Sequence, residues 1–292
     1  RRMTLPRRFI RRLLVSLLVL VGLVLAGCTG GANVQPVRAQ DAVSAPREVD
    51  HSAYTDLLRA YVDEAGMVDY AGLKADHDEV LAPYLQMLAE TDPSNLDEQK
   101  RLAFWINAYN ALTLKLIVDH YPVETIRSIT PAGGPTVPRL NDPWHVKVGE
   151  VGGEIRTLDE IEHDIIRTRF NEPRIHFALV CAAVSCPRLR REAFVGSRLD
   201  AQLDDQARLF LHAESKNAIP APNETVRLSR IFKWFAGDFG EDTDALQRYL
   251  APYFDGGIRQ KLRDAAYDVD YLDYDWALNA QRPSQAAASD DR

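Results

Sequence analysis

The hydropathy pattern opens with an apolar run from Leu13 to Ala26 behind six arginines and no acid. The run is shorter than the roughly 20 residues a helix needs to span a bilayer and has the layout of a secretory signal, with Met3 a candidate start. From about residue 28 to 50, "CTGGANVQPVRAQDAVSAPREVD" holds few bulky apolar groups and predicts a flexible tether reaching roughly 25 Å. Helical periodicity begins with "HSAYTDLLRAYVDEAG" and "DEVLAPYLQMLAE", the second limited by Pro83. A third helix is predicted from about Leu96 to His120, capped by Ser94 and stopped before Tyr121 and Pro122. Its middle, "LAFWINAYNALTLKLIV", is apolar nearly all round, so this helix is expected to be central and buried.

Further along, "WHVKVGEVGGEIRTL" alternates around Gly149, Gly152 and Gly153 and predicts a short hairpin. "TLDEIEHDIIRTRF" predicts a helix with Thr157 and Glu160 at capping-box spacing. Leu158, Ile161 and Ile165 form its inward stripe, while Glu160, His163 and Arg167 gather on another face. "RIHFALVC" predicts a strand, with Arg174, His176, Ala178 and Val180 on one side and Cys181 on the other. On such a strand Arg174 and His176 need acceptors, for which Glu160, Glu162, Asp164, Asn107 and Asn110 are candidates. After an amphipathic helix, "LDAQLDDQARLFLHAE", a hairpin is expected around Asn223, then a short helix and a last strand in "DVDYLDYDWAL". This irregular order predicts an α+β fold: one helix-rich domain over residues 51–280 around a small, largely antiparallel sheet. Residues 281–292 predict a disordered tail.

Charge narrows the partners. The apolar run ends in "LAGC", which resembles the lipobox of bacterial lipoproteins; this implies lipidation of Cys28 and removal of residues 1–27. Thr29 rather than Asp follows, which implies transport to the outer membrane. Cleavage takes six of the 35 basic residues and none of the 42 acidic ones, leaving a net charge of about −13. Nucleic acid is therefore not an expected partner. The expected location is the periplasm, with the membrane engaged through the N-terminal lipid.

Two groups of residues carry candidate chemistry. Asn107 and Asn110 lie three apart on one helical face and are read either as braces for neighbouring loops or as the floor of a ligand pocket. Cys181 and Cys186 form an even pair once Cys28 is lipidated, in a compartment where accessible cysteines tend to be joined. Pro187 and the small residues Ala182, Ala183 and Ser185 favour a closing bend. The competing readings are a nucleophilic Cys186 activated by His176 or His163, a zinc site, and inert buried thiols. No CxxC or HExxH spacing accompanies the cysteines, and neither a metal nor a cofactor is expected.

"AFWINAYNALTLKLI", the glycine hairpin leading to "TLDEIEH", "RIHFALVCAAVSCPRL" and "LDDQARLFL", in this order, resemble the domain of unknown function 547 family over about Leu102 to Phe235. The resemblance implies a special site marked by Asn107, Asn110, Glu162, His163, Arg174, His176, Cys181, Ser185 and Cys186. A fainter likeness to transglutaminase-like and papain-like folds lacks the cysteine those enzymes carry at the start of the helix. Two functions are expected: a cell-envelope binding or accessory domain with a polar pocket of Asn107, Asn110, Glu162, His163, Arg174 and His176, or a thiol-dependent hydrolase or transferase acting on peptide or peptidoglycan-like substrate through Cys186 and His176. The partner is an envelope ligand or protein. Cys28→Ser is expected to abolish lipid labelling and release the chain from the membrane fraction. Unchanged labelling in that variant would exclude the lipobox reading.

Overall fold

The fold is organised by one helix, Glu98–His120, whose residues from Leu102 to Leu114 are all buried. Asp97 caps it by accepting the Lys100 N–H at 3.0 Å. Ser94, the expected cap, instead sits in a 3-10 turn, Pro93–Asn95, that Asp92 caps. A carboxylate three residues before Lys100 meets the free N–H groups of the first turn directly, and favours the positive end of the helix dipole. The structure, a computed structural model, describes residues 49–130, 142–219 and 225–282, all within the compact unit Ser44–Arg292. The expected signal, Cys28, most of the tether, Asn223 and most of the tail lie outside the described residues. No helix of the described residues is long and apolar enough to cross a membrane.

Helix Ser52–Tyr61 contributes Tyr54, Leu57 and Leu58 to the core around the central helix, and helix Ala82–Glu90 contributes Tyr84 and Leu88. The pattern around Pro83 resolves into two helices, His77–Val80 and Ala82–Glu90. Proline lacks the N–H that would continue the first and is tolerated in the first turn of the second. The glycine hairpin forms as expected: β1, Gly149–Val151, pairs antiparallel with β2, Glu154–Arg156. Gly152 and Gly153 take φ of 63° and 78°, a turn conformation that side chains disfavour. Their N–H groups bond the carbonyls of Leu88 and Ala89, tying the turn to a helix end.

The capping box also forms. The Thr157 N–H donates to Glu160 Oε2 at 2.8 Å, and the Glu160 N–H donates to Thr157 Oγ1 at 3.0 Å. The helix that follows widens to a π-helix over Glu160–Ile166. That widening breaks the expected face, because Glu160 turns to Lys147 at 2.6 Å while His163 and Arg167 stay together.

The largest correction concerns Arg174–Cys181, which is not a strand. Pro173–Phe177 is a 3-10 turn, and the backbone beyond it is irregular. Pro173 fixes φ, and Glu172 accepts the Arg174 N–H, so local chemistry favours a turn. Asn110 then does what a neighbouring strand would do: its Nδ2 donates to the Ala178 carbonyl and its Oδ1 accepts the Val180 N–H, both at 2.9 Å. Asn107 makes the same two-pronged contact with Phe194, at 2.7 Å and 2.9 Å.

A second apolar cluster gathers Phe177, Phe210 from helix Leu199–Leu211, Phe232 and Phe239. β3, Thr225–Leu228, pairs with β4, Asp268–Tyr271, in parallel. Of the expected hairpin around Asn223 the described residues retain one antiparallel rung, Ala218 with Arg227. The helix-rich α+β class holds, built on two small ladders of which one is antiparallel and one parallel.

Replacing Asn107 or Asn110 by leucine strands one buried N–H and one buried carbonyl. Each variant is expected to lose about 1–3 kcal/mol, read as a lowered denaturant midpoint. Alanine at the exposed Gln86 is expected to stay within about 0.5 kcal/mol of the parent.

Candidate functional site

The π-helix turns two polar residues of "EIEH" toward a common space. Glu162 is buried, and His163 is half-buried beside it. A π-turn spreads residues differently from an α-turn and is found often at functional sites. The space is an open cleft of about 210 Å³. Its floor takes Tyr109 from the central helix and the Cys181–Cys186 pair. Its walls hold Glu162, His163 and His176 and an aromatic group in mutual ring contact, Trp144, Trp234, Tyr274 and Trp276. Trp234 is 45 % exposed and its ring stacks on that of Trp276, 5.7 Å between centroids.

A chain of alternating acids and bases runs beside the cleft. Asp142 Oδ1 lies 2.9 Å from His145 Nδ1, and Asp159 lies 3.7 Å from both His145 Nε2 and His163 Nε2. Arg167 Nη1 donates to His163 Nδ1 at 2.8 Å, which places the His163 proton on Nε2, toward Asp159. Arg167 also forks onto Asp238, Nε to Oδ2 at 2.6 Å and Nη2 to Oδ1 at 2.8 Å. His176 Nε2 donates to the same Asp238 Oδ2 at 2.7 Å. The fork from Arg167 holds the Asp238 carboxyl down at about 2. Burial, with the His176 ring stacked 4.0 Å from Phe235, pushes the imidazole down to about 4 in spite of its acid partner. Asp238 already shares its charge with Arg167, so the histidine stays neutral. Burial raises Glu162, which is hydrogen-bonded to Tyr109. The hydrogen bond to Asp142 raises His145.

The expected site residues separate into two groups. Glu162, His163, His176, Cys181 and Cys186 line the cleft. Asn107 and Asn110 are engaged with loop backbone instead, and Arg174 binds Glu172 at 2.6 Å and Asp200 at 2.8 Å. The acceptors of Arg174 and His176 are thus Glu172, Asp200 and Asp238, none of those expected. Ser185 Oγ accepts the Asp275 N–H at 2.9 Å. Cys181 and Cys186 are joined by a disulfide, with Cα atoms 6.1 Å apart. Among the described residues no cluster of three or more His, Cys, Asp or Glu side chains is arranged to hold a metal ion.

Sequence reasoning missed Asp159, Asp238, Tyr274 and the tryptophans. The chain has four tryptophans, and three of them converge on this cleft. Scarcity was the available signal, but convergence is a property of the fold.

Residues 93–211 match the family described as "Protein of unknown function, DUF547". The matched stretch contains the central helix, the glycine hairpin, the π-helix, both cysteines and helix Leu199–Leu211, which supports the resemblance drawn from the motifs. Asp238 and the wall residues Trp234, Tyr274 and Trp276 lie beyond it. Comparison with curated proteins and with solved structures returned no match.

Two buried histidines make stability pH-dependent. His176 and His51, the latter 2.8 Å from the Tyr84 hydroxyl, are both held at about 4 by burial. Between an unfolded value near 6.5 and the folded value the unfolded chain binds more protons, so stability is full above the upper limit and falls as pH drops toward 4. Each contributes at most about 3 kcal/mol; Glu162, raised by burial, works in the opposite sense. His176→Gln keeps a donor toward Asp238 without titrating. It is expected to remove about half of the histidine-driven loss between pH 6.5 and pH 4, measured as denaturant midpoints against pH.

Proposed function

We propose that the chain is a lipid-anchored periplasmic protein of the outer membrane whose cleft binds a cell-envelope ligand. The observation that carries this reading is that an aromatic group, with Trp234 45 % exposed, lines the same cleft as Glu162, Asp159, His163 and the neutral His176. Aromatic faces take up an apolar surface, and a few convergent polar groups fix its orientation. The apolar run, "LAGC" and the acidic mature chain support the envelope location. A ligand suited to the cleft offers an apolar face to Trp234 and Trp276, and hydrogen-bond donors or a cationic group to Glu162 and Asp159. Peptide or peptidoglycan-like fragments have both.

The thiol-dependent hydrolase or transferase places its nucleophile in the same cleft, because Cys186 lines it together with His176 and His163. With Cys181 and Cys186 joined, that route begins only after reduction. Ligand binding needs no prior step, and it is the reading adopted.

Titration of intrinsic tryptophan fluorescence with soluble peptidoglycan fragments tests it. The mature protein is expected to bind, and Trp234→Ala to weaken binding about ten-fold, the usual cost of removing a central aromatic contact. Absence of binding by the parent protein, or equal affinity in Trp234→Ala, would remove the reading.

A further inference from the structure

The disulfide in the cleft is not placed like a staple. We propose that Cys181–Cys186 is a redox-active bond that exchanges with the thiolate of a peptide or small-molecule thiol entering the cleft, Cys181 being the sulfur attacked and Cys186 the sulfur that leaves. This activity does not rest on the ligand-binding reading, although Tyr274 belongs to both groups of residues.

Access and the Cys181 N–H separate the two sulfurs in the same direction, while the Tyr274 hydroxyl lies 3.2 Å from both. Cys181 is half-buried, whereas Cys186 is 2 % exposed, so a thiolate arriving from the cleft meets Cys181 first. Cys186 Sγ already receives two donors. The Cys181 N–H lies 3.0 Å from it and the Tyr274 hydroxyl 3.2 Å. A sulfur that gains a negative charge is stabilised by such donors, and a stabilised thiolate leaves faster. Tyr274 keeps its proton, since burial raises its hydroxyl well above the usual range.

The exchange balances without a further reactant. The incoming thiolate sulfur forms a bond to Cys181 Sγ as the Cys181–Cys186 bond breaks. The electron pair of the broken bond moves onto Cys186, whose thiolate is held by the Cys181 N–H and the Tyr274 O–H. The product is a mixed disulfide on Cys181, and charge is conserved.

The loop does not need the bond to keep its shape. The Val184 N–H donates to the Ala277 carbonyl at 2.8 Å, the Ser185 N–H to Asp275 at 3.1 Å, and the Asn279 N–H to Ala182 at 3.0 Å. The segment that holds the loop also carries Tyr274. Opening the disulfide therefore leaves the donors in place to receive the thiolate. A bond across so short a loop also has little chain entropy to remove.

The experiment treats the oxidised mature protein with reduced glutathione, quenches with acid, alkylates free thiols and maps the peptides. Glutathione is expected on Cys181 with Cys186 alkylated, under conditions where the protein stays folded. Tyr274→Phe is expected to slow exchange, because a leaving thiol that loses a donor has a higher pKa and leaves more slowly. Its thermal midpoint serves as the folding control. Glutathione found on Cys186, or no exchange by the folded protein at concentrations that open the bond in denaturant, would overturn the proposal. The mapping on the unaltered protein stands even if Tyr274→Phe fails to fold; a folded Tyr274→Phe that exchanges at the parent rate would remove Tyr274 as the thiolate donor and overturn the leaving-group assignment.

Discussion

A helix buried on every side must lend its own side chains to the backbone that passes over it. Residues 178–180 and 194 have no strand beside them, yet their carbonyls and N–H groups are buried and need partners. Asn110 and Asn107 supply those partners from one helical face, each amide giving one donor and taking one. The irregular path of the chain on either side of the cysteines is therefore fixed by two amides. Without them the loop that carries the disulfide would lose its register against the central helix, and the floor of the cleft with it.

On that frame the cleft acquires its electrostatics from one arginine. Arg167 grips both oxygens of Asp238 and also orients His163. Because the carboxylate is already neutralised, the buried His176 next to it gains little by taking a proton, and desolvation decides its state. The result is a cleft whose lining joins the neutral imidazole of His176 and a buried, raised Glu162 to a group of aromatic rings. Such a lining suits orientation of a ligand in a low-dielectric setting, where each hydrogen bond counts for more than in water.

The segment 274–279 closes the site from the far end of the chain. It brings Tyr274 to the sulfurs, adds Trp276 to the aromatic wall and pins the cysteine loop through backbone bonds. The proposed ligand binding and thiol exchange share one cleft, the first drawing on the aromatic rings and the second on the sulfurs, with Tyr274 common to both.

Local physics made much of this legible in the sequence. The all-round apolar character of "LAFWINAYNALTLKLIV" was enough to mark a buried helix, the Gly152–Gly153 pair a tight hairpin, and Thr157 with Glu160 a capping box, because each depends on residues a few positions apart. The motifs also picked out Glu162, His163, His176, Cys181 and Cys186, which the fold places around one space. The path of residues 174–181 was decided by Asn110, dozens of residues away, and a periodic pattern read as a strand had no strand to pair with. The partner of His176 came from Asp238, the cleft wall from Trp144, Trp234 and Trp276, and the parallel pairing of β3 with β4 from contacts across the chain. Capping, turn and burial preferences are properties of short segments and can be read in order; which acid meets which base, and which rings share a wall, is settled only when distant segments pack.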